Sequence, residues 1–141
     1  MASVYHEILI EADAAHVWDV IRDVGAVHQR LLPGRVVATR MDGDERVLTF
    51  PNGRDVRETI IAIDDQRRRL AYRVLEGDSL GLTYHHASFE VVPETAGRSR
   101  LVWITDLLPH HLADAVRERM VVGAADMQRN LQATESAAHL G

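Results

Sequence analysis

Between residues 35 and 107 the chain passes through six short β-like segments and then changes period for good. The segments are 35–41, 45–50, 55–63, 68–76, 82–92 and 99–107, separated by Asp42-Gly43-Asp44, Pro51-Asn52-Gly53, Asp64-Asp65, Gly77-Asp78 and the loop 93–98. Connections this short join antiparallel neighbours, because a parallel crossover needs a dozen or more residues. From His110 onward Leu112, Val116, Met120, Gly123, Ala124, Met127 and Leu131 fall on one stripe of a long helix. A meander of antiparallel strands has one apolar face to bury, and this helix is the element long enough to cover it.

The first third adds "VYHEILIEA" (4–12) as a further strand and "DAAHVWDVIRD" (13–23) as a helix with Val17, Trp18, Val20, Ile21 and Val24 near helical spacing. Asp13 is placed to cap that helix. "AVHQRLL" (26–32) gives a second short helix, stopped by Pro33-Gly34. The expected fold is α+β: a curved seven-stranded antiparallel sheet around a long C-terminal helix, with two short helices after the first strand, in one domain over 1–141.

Alternation along the strands assigns faces. In "LGLTYHHASFEVV" (80–92), His85 travels with Thr83, Ala87, Phe89 and Val91 toward the apolar side, and His86 with Tyr84, Ser88 and Glu90 toward solvent. The same rule turns inward Val4, His6, Ile8 and Ile10, then Val56, Glu58, Ile60 and Ala62, then Ala71, Arg73 and Leu75, then Leu101, Trp103 and Thr105. A short turn over 64–67 pairs Ile63 with Arg68 and sets Glu58 opposite Arg73. The loop 77–81 sets Arg73 beside His85, and the loop 93–98 sets His85 beside Thr105. The expected polar row is therefore Glu58, Arg73, His85, Thr105. It reads either as a structural Glu58–Arg73 bridge with His85 at its end, or as the anchor of an apolar pocket that orients a ligand carbonyl, phenol or carboxylate. The two readings are compatible. Met120, Gly123, Ala124 and Met127 face the row from the helix; the two small residues either leave room for a ligand or let helix and sheet approach closely.

Composition removes several chemistries. There is no cysteine, and all 16 basic residues are arginine, so thiolate, disulfide and Schiff-base chemistry are excluded. A net charge of −5 argues against nucleic acid, and Arg67-Arg68-Arg69 reads as a solvated hairpin end. Apolar runs are too short for a membrane span or signal core, so a cytoplasmic protein without integral membrane association is expected. His85-His86 and His110-His111 are adjacent pairs whose members diverge, so no metal and no cofactor are expected; His6 is a core or rim residue, and Ser88 lacks a positioned base.

Ala12, Val17, Trp18, Ile21 and Asp23 in the first helix region, "Tyr-Arg-Val-Leu-Glu-Gly" at 72–77 and "Leu-Val-Trp" at 101–103 before Pro109 resemble the START/Bet v1-like (SRPBCC) superfamily, especially its polyketide cyclase/dehydratase-like branch. The likeness covers nearly the whole chain. Asp13 stands where a proline is usual, and Val27-His28 where an aromatic-proline pair is frequent. The resemblance implies a helix-grip fold whose sheet and long helix enclose a cavity for a small hydrophobic or aromatic molecule. It implies ligand contacts at Glu58, Arg73, His85, Phe89, Trp103, Thr105, Met120, Gly123, Ala124 and Met127. Arg73 occupies a recurring inward arginine position of the cyclase branch, whereas a second one on the preceding strand is replaced by Ile60 or Ala62. Three functions fit the resemblance: a lipid- or polyketide-like ligand binder; a metal-free cyclase/dehydratase with His85 as acid or base and Arg73 stabilising an enolate; or a module presenting lipid or quinone to a partner. A monomer or homodimer is expected in each case.

Overall fold

The computed structural model describes residues 2–140, with side chains to residue 137. The order is β1 (Ala2–Ile10), α1 (Ala14–Ile21), a π-helical turn (Val27–Leu31), β2 (Ala38–Asp42), β3 (Glu45–Thr49), β4 (Asp55–Asp64), β5 (Arg69–Glu76), β6 (Tyr84–Thr95), β7 (Arg98–Leu108) and α2 (Ala113–Leu140). One seven-stranded antiparallel sheet runs β1-β7-β6-β5-β4-β3-β2, so the meander is intact and β1 is added beside its last strand. This is the expected helix-grip arrangement.

Helix α1 turns Val17, Trp18 and Ile21 into a core shared with Ile10, Leu70, Phe89, Leu101, Met127 and Leu131. Asp13 holds the cap position without a side-chain cap, because its carboxylate accepts the Gly97 N–H of the β6–β7 turn instead. Helix α2 lies mainly along β1 and the π-helical turn and makes no comparable approach to β3, β4 or β5. A long helix resting on one side of a curved sheet leaves the other side uncovered, and that gap is where the site lies.

The register between β4 and β5 differs from expectation. The turn occupies 65–68, with Arg68 in the left-handed region (φ 53°), so Ile63 pairs with Leu70 rather than Arg68. A β-bulge at Ile61 then shifts the ladder by one: Ile60 pairs with Tyr72, Thr59 with Arg73, and Glu58 with Val74. One extra residue exchanges the faces. Leu70, Tyr72 and Val74 point inward, while Arg73 and Leu75 are exposed on the outer face and Ala62 shares that face with Ala71. On the next ladders Arg73 pairs with His86, and Ala87 with Thr105. The row Glu58, Arg73, His85, Thr105 does not form. No helix among the described residues is long and apolar enough to cross a membrane.

Candidate functional site

Between the sheet and α2 lies an open cavity of about 1340 Å³. Its floor carries three aromatic rings contributed by adjacent strands. Tyr72 and Phe89 stack with centroids 6.2 Å apart, and Phe89 and Trp103 at 4.8 Å. Cross-strand pairing of Phe89 with Trp103 and of Leu70 with Phe89 sets this stripe, which continues along β5 to Val74. Alternation located Phe89 and Trp103; Tyr72 comes inward because β5 pairs with β6 through Leu70–Phe89 and Tyr72–Ala87.

The roof is α2. Gly123 passes over the indole, where a Cβ would sit 3.5 Å from the Trp103 ring, an ordinary contact. Met120 and Met127 line the cavity on either side of it, whereas Ala124 is buried away from the lining. The small residues thus divide: Gly123 opens the roof, and Ala124 serves helix packing.

Charge enters the lining as a pair that alternation did not supply. Arg46 on β3 faces Glu58 directly across the ladder, with Nε 2.7 Å from Oε1 and side chains only 6% and 7% exposed. The guanidinium also donates to the Val24 carbonyl at 3.2 Å and lies 5.3 Å over the Tyr72 ring. Glu58 is therefore a cavity residue with Arg46, not Arg73, as its partner. The available signal was the shared parity of Arg46 with Leu48 and Phe50, which also reach the cavity. Burial, reinforced by the Glu58 charge, raises the Tyr72 phenol well above its ordinary pKa, so it stays a protonated hydrogen-bond donor. The buried Trp103 indole N–H has the Tyr72 hydroxyl as its polar neighbour.

His85 and Thr105 complete the polar part of the wall. His85 Nδ1 lies 3.5 Å from the Asp78 carboxylate, close enough for attraction and at the long limit of a hydrogen bond. Burial lowers the imidazole pKa below its ordinary value; Asp78 opposes the shift and Arg119 adds to it. Beyond the Arg73–His86 pair, β5 and β6 separate and leave a smaller cleft of about 230 Å³. Arg73 and Tyr84 line this outer cleft, with the guanidinium 5.0 Å over the phenol ring. His85, Asp78 and Val74 border both spaces, so Arg73 stands behind the histidine and outside the main cavity. The two histidines point to opposite faces as alternation requires, but their exposure does not separate them: their side chains are 25% and 23% accessible. Asp106, 3.7 Å from His86, occupies the outer surface beside it. His6 is half-buried on β1 and lies outside the lining. No group of three or more metal-ligating side chains occurs among the described residues.

The comparisons agree with this geometry. The family described as polyketide cyclase / dehydrase and lipid transport matches residues 1–138. XoxI from Bacillus cereus has a TM-score of 0.81 at 19% identity, with 99% of each chain covered. Norcoclaurine synthase from Thalictrum flavum, in complex with dopamine and hydroxybenzaldehyde, gives 0.71 at 23% identity over 94% of this chain and 85% of its own. The di-domain ARO/CYC BexL gives 0.81 at 15% identity, over 94% of this chain and 47% of its own length. At these identities the structural likeness is one of fold. A comparison with curated proteins returns no significant match. On the strength of the family match over nearly its whole length, the chain belongs to the polyketide cyclase/dehydrase and lipid transport family, with the Bet v1-like helix-grip fold.

Proposed function

We propose that the protein binds a small apolar or aromatic molecule between sheet and α2. The observation that carries this reading is the cavity itself: aromatic and aliphatic walls with a few convergent polar groups, the composition of a ligand site rather than of a packing defect. Dopamine and hydroxybenzaldehyde in the norcoclaurine synthase complex support an aromatic ligand for this fold. A flat ring would lie on the Tyr72–Phe89–Trp103 stripe. The Tyr72 hydroxyl and Thr105 would orient its oxygen atoms. Nile red titration of the purified protein tests the site, and native mass spectrometry seeks a co-purified molecule. Wild type should bind the dye with micromolar affinity, and Gly123→Leu, which projects a side chain past Trp103, should weaken it at least tenfold. Absence of binding in wild type, or unchanged binding in the variant, would refute the placement.

A second reading, acid/base catalysis as in a cyclase/dehydratase, is favoured by His85, an imidazole in the cavity wall whose pKa is lowered by burial and whose Nδ1 faces the Asp78 carboxylate. His85 would take the proton, and Tyr72 or Arg46, rather than the outward Arg73, would stabilise the enolate. Proton–deuteron exchange at the α-carbon of a β-diketone tests it: catalysis lost in His85→Gln supports the enzyme, and no exchange above buffer sinks it.

A further inference from the structure

The cavity wall contains five arginines and four carboxylates in a chain whose net charge is −5, a local reversal of sign. Most of these charges are matched. Arg46 holds Glu58, while Arg35 and Arg129 both hold Asp126. Arg54 and Arg119 have no carboxylate within ion-pair distance among the described residues. They come from different elements, the β3–β4 hairpin and the exposed side of α2, and both are fixed on one piece of the rim.

Arg54 donates from Nη2 to the Gly77 carbonyl, and Arg119 from Nη2 to the Ser79 hydroxyl. The two anchoring residues are two positions apart, at most about 7 Å of extended backbone. Each contact uses one of five guanidinium N–H donors, so both forks keep donors for an incoming group. Asp78, between the anchors, is occupied with the Leu80 N–H at 2.6 Å and with His85 at 3.5 Å. Glu118, exposed on α2, is the other carboxylate of this part of the wall.

We propose that Arg54 and Arg119 receive a single carboxylate from a ligand whose apolar body lies on the aromatic stripe. This deepens the binding reading and rests on it. A guanidinium fork matches a carboxylate in plane and spacing. Two arginines set against Asp78 and Glu118 leave little excess charge, which suits a monoanion better than a dianionic phosphate. The ligand class is therefore an amphiphilic monocarboxylic acid, entering body first.

Displacement of Nile red by naphthylacetate and by its methyl ester tests this, with naphthyl phosphate as a third competitor. In low salt the acid should compete at about tenfold lower concentration than the ester, the magnitude two partly exposed charge pairs supply. The preference should shrink as salt is raised. It should vanish in the double variant Arg54→Gln/Arg119→Gln and largely persist in Arg54→Lys/Arg119→Lys, which keeps the charge. Equal competition by acid and ester in wild type, a preference that survives the glutamine pair, or stronger competition by the phosphate would each overturn the assignment. Failure of Nile red to bind at all would instead overturn the cavity reading and this inference with it.

Discussion

His85 is held in a place that disfavours its own charge. Because burial lowers its pKa in the folded protein, the unfolded chain takes up the proton first as pH falls. The contribution of His85 to stability is therefore fully present above about pH 6.5, the unfolded value, and is lost as pH falls through the lower folded value. An NMR titration should place the His85 inflection below that of an ordinary histidine, and Asp78→Asn should push it lower still by removing the attraction that opposes the shift. In His85→Gln the corresponding part of the acid dependence of urea stability should disappear; an inflection at or above the ordinary value would contradict this. Arg46 and Glu58 make a different kind of demand. Each is desolvated and each satisfies the other, so removing one leaves an uncompensated buried charge. Arg46→Met or Glu58→Leu alone should cost about 3 kcal/mol by urea unfolding, and the double replacement should recover most of it.

The elements around the cavity depend on local backbone devices that fix where side chains arrive. Gly77, which follows β5, has φ 98°, and a Cβ there would lie 2.3 Å from the Asp55 carbonyl oxygen. Backbone crowds backbone at that point, so no rotamer change can relieve the contact. Gly77→Ala should destabilise by about 2 kcal/mol or more, combining left-handed strain with displacement of the adjoining strand, and a melting curve matching wild type would refute it. The bulge at Ile61 has a larger consequence. Without it, β4 would run one residue out of step with β5, Ile61 would stand opposite Tyr72, and Glu58 would turn to the outer face. The π-helical turn supplies Val27 and Leu31 at the cavity's edge, so the irregular elements, more than the regular ones, shape the site.

For the molecule as a whole, an open cavity means that the fold lacks part of its core until a ligand supplies it. Binding restricted to the folded state must then raise stability: a ligand at one hundred times its Kd adds about 2.7 kcal/mol. A carboxylate amphiphile that displaces Nile red should accordingly raise Tm in a concentration-dependent way, and an unchanged Tm at saturation would show that it binds elsewhere or binds the unfolded chain equally. Much of this architecture was legible before any coordinates. Turn residues at short intervals marked the meander, the change of period at His110 marked α2, and alternation correctly turned His85, Phe89, Trp103 and Thr105 inward, because each of these signals is local to one element. The relation between elements was not legible. The turn at 65–68 sets the starting register of β5 against β4, and the bulge at Ile61 decides which of their faces join; both change the pairing without disturbing the pattern inside either strand. The sequence alone settled the inventory of strands and helices. Tertiary structure decided that Glu58 meets Arg46 instead of Arg73, because pairing between strands is a long-range choice that a shift of one residue reverses.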